Sequence, residues 1–568
     1  MTPSPVYDVA IIGGGLAGSM AALMLQRRGF HTVVLESRAE GQPQKTVVGE
    51  AFTEGTSVFL DHELGMGDWL REHGFRKYGF DFVTQPRAGA APHNLDGCHE
   101  LLLSLTPLET IPGAFPKLIP TYHVDRPRFD AELARRARLA GAEYRYAAPV
   151  RRVVLDEHPR GQLREHRVLF GAETPDGTDP DPSPSPLSSS APGELRCRWV
   201  LDTSGRRRVL GKQLGITSPM AGLRTAAIWT HFTNVRDDSE FWQTFRGIDR
   251  RRHTIHFSGP GFWFWWIHLD DDTTSVGVTF DRDQHEVDIK AEDRGFWEMA
   301  AEFPALEQAL AGARPKGPYH YYANLPYQSS HWISTQGYAL IGDAATFVDP
   351  LYSIGVEMAC RQLIAALPLI QQARQATRSV CAETVARLNR DHALSQESVR
   401  TLNKFKYEHA WHQPHVLMQT ALYDLAEIAE LYHLQESRHW TPDNLDRNYR
   451  LQWSSEARRD ALIQFMQDAR ADAQRDRGTP ELGGRSPRLL AKALLPGRLV
   501  YSATWPLWRL PKARPYFFII TRLWGYMERM SQRHLLWPDI LSLMAGGRGP
   551  GPAPRPVEIR RRADDHAA

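Results

Sequence analysis

The chain predicts an α/β protein, with a Rossmann-like nucleotide-binding domain, an antiparallel-sheet substrate domain and a helical C-terminal region. Three observations carry that expectation. A Gly-rich strand-to-helix turn stands within the first twenty residues, aromatic strand-like runs occupy the middle, and helical periodicity dominates from about Glu357 onward.

At 568 residues, 42% hydrophobic and 24% charged, the chain is too long for one small core and is composed like a globular protein, so roughly two or three packed units are expected. A net charge of +2 argues against a protein that coats nucleic acid. Cys98, Cys197, Cys360 and Cys381 are scattered without a C-x-x-C pair, which suggests neither a disulfide framework nor a metal site. The N-terminus shows no signal-peptide pattern, and no apolar run approaches the roughly 18 to 20 residues of a membrane span, so a soluble cytoplasmic protein is expected.

Asp8 to Ile12 is a short β-branched run that feeds Gly13-Gly14-Gly15-Leu16-Ala17-Gly18. Good helix formers follow to Arg28, Gly29 stops them, and a second strand over Thr32 to Leu35 ends at Glu36. This order is that of a dinucleotide site. Gly13 permits the tight turn, Gly15 lets the backbone approach a pyrophosphate, Gly18 allows close helix packing, and Glu36 suits a ribose hydroxyl pair.

Val48-Gly49-Glu50 follows a polar loop and precedes a helix expected over Gly55 to Glu63; its plainest reading is a strand end with a solvated glutamate. Alternating aromatics after Lys77 suggest one strand, with Lys77, Gly79 and Asp81 on one face and Tyr78, Phe80 and Phe82 on the other. Arg126 opens a helix that runs to about Leu139, where it suits either a phosphate or a salt bridge with Asp130.

Residues 171–193, rich in Pro, Ser, Asp and Gly, predict a flexible surface loop between two strands. The second strand runs into Asp202-Thr203-Ser204-Gly205, a turn back toward the nucleotide. Gly261 to Leu269 is dense in aromatics, with Trp263 and Trp265 at alternate positions, and pairs as a hairpin with Thr274 to Phe280. Tyr338 to Ile341 then approaches Gly342-Asp343, a turn at Asp349-Pro350, and a long apolar helix from near Ser353. The helix start suits an anion against Ser353, Ile354 and Gly355.

Together these segments resemble the flavin-dependent halogenases, a two-component branch of the FAD monooxygenase (GR2-type) fold, over roughly residues 5 to 375. Trp263, Trp265 and Ile267 match W-x-W-x-I-P, with His268 in place of the proline; Phe347, Pro350, Ser353 and Gly355 match F-x-x-P-x-x-S-x-G in full. The FAD markers match at Gly13, Gly15, Ala17 and Gly18, at Val48-Gly49-Glu50, at Arg126, at Asp202, and at Gly342-Asp343.

The resemblance implies FAD, reduced by a separate flavin reductase, with O2 and chloride or bromide as co-substrates and no metal. It implies halide at the backbone of Ile354 and Gly355, and hypohalous acid relayed to Lys77, which forms a haloamine or polarises the oxidant. Ser353, Trp263 and Trp265 complete the implied catalytic set, and the two tryptophans are expected to stand between Lys77 and the cofactor.

Tyr352, where tryptophan-acting members carry glutamate, points to a phenolic or pyrrolic substrate, free or on an acyl carrier protein. A hydroxylase or epoxidase of the same fold and a catalytically silent FAD-binding flavoprotein remain the alternatives. His268 either supports its strand or marks a shift toward hydroxylation.

The domain expectation is a core over 1–375, with the substrate sheet at about 80–125 and 207–335, then a helical region over 376–475, a basic aromatic tail over 485–545 and disorder over 546–568. After Gly484 the tail has fifteen Lys or Arg against five acids. That suits an acidic carrier protein or a membrane surface, or simply helices packed against the substrate channel with their arginines in water.

Overall fold

The computed structural model describes residues 5–42, 47–84, 99–104, 120–157, 163–171, 192–236, 249–291, 293–375 and 380–412, with scattered positions beyond. Most of the loop expected at 171–193, the later helices and the basic tail lie outside the described residues.

Val6–Ile12 is an inner strand of an eight-stranded sheet. It pairs in parallel with Thr32–Leu35 on one side and with Gly193–Asp202 on the other, and the latter pairs in parallel with Tyr338–Leu340. Parallel strands are covered on both faces, and Val9 to Ile12 and Val33 to Leu35 are accordingly apolar and buried without alternation. The helix Leu16–Gln26 packs on this sheet and against the helix Arg126–Leu139. That second helix buries Phe129, Leu133 and Ala137, a stripe at helical spacing, and turns Arg128, Arg135 and Arg138 outward.

A nine-stranded sheet forms the second layer. Thr225–Thr233, Thr274–Asp281, Phe262–His268 and His253–Gly259 run antiparallel in that order, and Gly79–Thr84 then joins in parallel. The aromatic strand is buried on both faces. Phe262, Phe264 and Trp266 pack with Phe296, Phe303 and Leu306 of the covering helices, whereas Trp263, Trp265 and Ile267 face the opposite cluster. Each large ring so buried contributes about 1.5 to 3 kcal/mol. A Cβ on Gly277 would lie 2.2 Å from the Trp265 ring, so only glycine lets that indole lie across its neighbour strand.

The single strand expected through Lys77 is two. Phe75–Lys77 pairs with Thr121–His123, whereas Gly79–Thr84 belongs to the large sheet. The chain changes sheets at Tyr78, which breaks the alternation, so Lys77 and Phe80 line one cavity although they were expected on opposite faces. The expected helix at 55–63 is an α-turn, Glu54–Val58, continued by a π-helical turn, Phe59–Glu63.

The C-terminal helices are Ile354–Ala373 and Ala382–Phe405, the second extended by a π-helical turn, Lys406–Ala410. Leu351–Ala373 is 23 residues long and contains an 18-residue stretch of mean hydropathy 1.4, long and apolar enough to cross a membrane, contrary to the expectation. Glu357 and Arg361 interrupt the apolar run that a sequence scan seeks, yet Leu363, Ala366, Leu369 and Ile370 pack in the core of the parallel sheet.

Candidate active site

The nucleotide turn is crowded at two glycines and open at the third. Gly13 adopts φ +95°, and a Cβ on it would meet the Thr203 carbonyl at 2.9 Å; a Cβ on Gly18 would lie 1.9 Å from the Gly13 carbonyl. Beside Gly15 nothing lies within 4 Å of such a Cβ, and no side chain caps the helix that starts there. Compact where protein packs, open where a pyrophosphate approaches, and with free N–H groups at a helix start, these residues fit the phosphates of FAD.

Ala17 sits in that first helical turn. Glu36 accepts from Gly14 N–H at 2.8 Å and from Arg38; burial raises its carboxyl, but Arg38 and the N–H donors more than offset this and hold it low. Asp202 is fully buried, its two oxygens accepting from Ser204 N–H (3.0 Å) and Leu210 N–H (2.7 Å). It shapes the turn that returns to the nucleotide cradle. Arg126 pairs with Asp130 at 3.0 Å and donates to the carbonyls of Val48 and Gly49, bracing that loop. Of its two expected partners it takes the carboxylate.

Gly342 turns with φ +60° and donates to Gln362 Oε1 at 2.6 Å. Asp343 follows, its carboxyl raised by burial against the pull of Arg206 and Arg126; a Cβ on Gly355 would come within 3.5 Å of Asp343 Oδ1. The cofactor turn and the start of the apolar helix therefore touch.

Between them, Tyr352 (φ 60°, ψ 8°) and Ser353 (φ 55°, ψ 29°) are consecutive left-handed residues, which cost about 1 to 2 kcal/mol each. The strain is held by neighbours. The Tyr352 hydroxyl accepts from buried Lys406, and Ser353 N–H donates to the Pro350 carbonyl at 3.1 Å. Asp349 accepts from Leu351 N–H at 3.1 Å and from the Tyr407 hydroxyl at 2.8 Å, while Trp263 Nε1 donates to that hydroxyl at 3.0 Å. Burial pushes Asp349 up to about 7. Past this turn, the 20-residue helix from Ile354 starts with no side chain capping its N-terminus.

One cavity of about 130 Å³ joins these parts. Val48, Gly49 and Glu50 line it, as do Pro350, Ser353 and Ile354, and so do Lys77, Trp263 and Trp265. The tryptophans are thus part of its wall and do not partition Lys77 from the helix start. Their strand presents both rings on the same face, along the cavity. The remaining expected contacts, Gly13, Gly15, Ala17, Gly18, Glu36, Arg126, Asp202, Gly342, Asp343 and Gly355, lie outside the lining, in and around the nucleotide cradle.

Lys77 is buried, its Nζ donating to the Phe52 carbonyl at 3.3 Å and lying 5.8 Å from the centre of the Phe80 ring. Burial pushes its ammonium below the usual lysine range, opposed by Glu54. Glu54 is buried too, its carboxyl raised by burial and drawn back by Lys77. Both line the cavity, and among the described residues no hydrogen bond or salt bridge joins them. A small polar molecule between them meets a donor and an acceptor.

Glu54 has no sequence signal. It is an ordinary helix-start glutamate until the fold sets it against Lys77, and Tyr407 and Lys406 are equally silent, more than fifty residues from the turn they brace. Glu50, expected as a solvated glutamate on pattern alone, is buried and pairs with His231 at 2.6 Å. His268 supports the strand. Its Nε2 accepts from Trp266 Nε1 at 3.1 Å, its Nδ1 faces Thr274 Oγ1 at 3.1 Å, and it does not line the cavity.

The curated relatives include the 1H-pyrrole-2-carbonyl-(peptidyl-carrier protein) chlorinase of Pseudomonas fluorescens, 27% identical over 364 residues that span 62% of this chain and 73% of that one. The corresponding brominase of Pseudoalteromonas luteoviolacea is 26% identical, spanning 65% and 78%. Among solved structures, halogenase PltM in complex with phloroglucinol and FAD shares the fold, with a TM-score of 0.66 over 86% of this chain and 96% of that one at 19% identity. An FAD-binding domain model matches residues 6–366, more than half of the chain. The chain belongs to that FAD-binding domain family, among its flavin-dependent halogenases.

Proposed function

We propose that this chain halogenates an electron-rich phenolic or pyrrolic ring, using reduced FAD, dioxygen and chloride or bromide. The carrying observation is that buried Lys77 and Glu54 open onto the same aromatic-walled cavity as the uncapped helix start at Ser353 and Ile354. The pyrrolyl-carrier-protein activity named for two relatives supports a ring presented on a carrier protein. A separate flavin reductase is the proposed source of reduced cofactor.

Bound and reduced, FAD supplies the electrons with which dioxygen and halide become hypohalous acid. The turn at Gly13–Gly18, with Glu36 and Asp343, would hold it. The chain does the rest by placement. The N–H groups of Ile354 and Gly355 bind the halide at a positive helix end. Trp263, Trp265 and Phe80 exclude water, which strengthens every charge interaction inside.

Burial weakens the Lys77 ammonium, so its proton passes readily toward Glu54 and leaves a neutral amine. That amine either displaces water from hypohalous acid to form an N–halogen bond or holds the oxidant by hydrogen bonding. In both cases halogen passes to the ring, the displaced ring proton leaves, and Lys77 ends as it began.

The test is direct. The chain is supplied with FAD, NADH, a flavin reductase, oxygen and bromide or chloride, and hypohalous acid and halogenated phenols or pyrroles are sought by mass. Oxygen insertion without halide would sink the proposal in favour of a hydroxylase.

A further inference from the structure

His256 is a cavity residue that the mechanism above does not use. It sits on the strand His253–Gly259, opposite Phe82 on one neighbouring strand and Trp265 on the other. Its ring is clamped, stacked on Phe82 at a centroid distance of 4.5 Å and 16°, with Trp263 at 5.5 Å.

Nδ1 lies 3.2 Å from the Asp81 carbonyl. A carbonyl only accepts, so Nδ1 carries the hydrogen, and in the neutral ring Nε2 is a bare acceptor. Burial keeps the ring neutral, pushing it down to about 3. Among the described residues Nε2 has no protein hydrogen-bond partner. It is also absent from the polar atoms sealed inside protein without one, so the 3% exposure of the residue includes this atom, on the cavity it lines. A near-buried acceptor left open calls for a donor.

The other polar groups on this part of the wall do not compete for that role. Trp263 Nε1 is spent on Tyr407 and Trp265 Nε1 on Ser275. Thr254 Oγ1 spends its hydrogen on His123 Nε2, whose ring donates through Nδ1 to the His268 carbonyl. Lys77 and Glu54 face the oxidant.

We infer that His256 recognises a hydrogen-bond donor on the substrate ring, its Nε2 accepting from a phenolic O–H or a pyrrole N–H. Such a bond fixes the ring's rotation in the cavity. It also pushes electron density from the donor heteroatom into the ring, which favours attack on an electrophilic halogen. The inference rests on the halogenase reading for the class of ring, but its test does not need turnover.

Binding of resorcinol and of its dimethyl ether, and of pyrrole and N-methylpyrrole, is measured on the full chain by calorimetry. The methylated partners stay electron-rich but lack the donor. The wild-type chain is expected to prefer the donor member of each pair by about tenfold, the worth of one buried hydrogen bond. His256→Phe, which keeps the stack, should bring the ratio to within about twofold, and His256→Gln, which keeps an acceptor, should restore part of it.

A ratio that survives in His256→Phe, or no preference in the wild-type chain, overturns the inference. If His256→Phe does not fold, the 15N shift of His256 Nε2 in the wild-type chain decides: it should move with resorcinol and not with the dimethyl ether, and an unmoved signal overturns it. Failure of wild-type halogenation would count against the functional reading alone, because the binding ratio still decides on His256.

Discussion

Replacing Lys77 by methionine removes the ammonium and keeps the length of the side chain. Its hydrogen bond to the Phe52 carbonyl, at 3.3 Å, is worth about 1 kcal/mol, and the loss is partly offset because no amine is then held out of water. Stability should change by no more than about 1 kcal/mol, a shift in Tm of only about a degree in a chain of this size.

Activity should not be so forgiving. A positioned proton-transfer group contributes about a hundred- to ten-thousandfold, and no other lysine lines the cavity among the described residues. The assay separates two products of one reaction: hypohalous acid trapped in bulk solution, and halogenated phenol or pyrrole by mass. We expect Lys77→Met to keep reduced-flavin oxidation and oxidant formation and to lose at least about a hundredfold in halogenated ring. Unchanged ring product would remove Lys77 from the reaction. Oxidant and ring product falling in parallel would move Lys77 to the oxidant-forming step and refute the relay.

Glu54→Gln keeps the volume but removes the charge that supports the Lys77 ammonium, so the lysine titrates lower still and the rising limb of the halogenation pH profile should move to lower pH, with a rate loss of about ten- to a hundredfold; a limb that does not move would separate the two residues. Tyr407→Phe leaves Asp349 and Trp263 without the hydroxyl they share, which should cost about 2 kcal/mol in chemical denaturation and lower ring halogenation by loosening the Ser353 turn; unchanged stability would dismiss that brace. Half-buried His392 is pushed down to about 4 by desolvation, below its unfolded value of 6.5, so its contribution is fully present above 6.5 and lost as pH falls through 4. His392→Gln should therefore reduce the acid loss of stability between pH 6.5 and 4 by about 3 kcal/mol, read from melting curves, and an identical acid limb in both chains would refute this.

The nucleotide cradle was legible because its chemistry is local. Gly13, Gly15, Gly18 and Glu36 act within one strand-turn-helix-strand, and spacing alone carries their geometry. The turn at Pro350 to Gly355 was legible as a helix start for the same reason. Its left-handed pair was not, since neither tyrosine nor serine announces φ above zero, and Lys406 and Asp349 hold it in place.

The aromatic strand shows both sides of this division. Its alternation correctly predicted rings on both faces, but whether Trp263 and Trp265 divide a channel or line it depends on what stands across from them. Lys77 was found through a motif, yet its strand was misread, because a change of sheet at Tyr78 leaves no mark in the hydrophobic pattern.

Residue order alone was enough for the fold class, a nucleotide cofactor and the turn at Ser353, which follow from periodicity and from backbone freedom over a few residues, while the resemblance to a known family made that cofactor FAD. The partnership of Lys77 with Glu54, the brace from Tyr407 and the open nitrogen of His256 belong to the tertiary structure. Burial and charge coupling act through space, between residues that the chain separates by anything from twenty to several hundred positions.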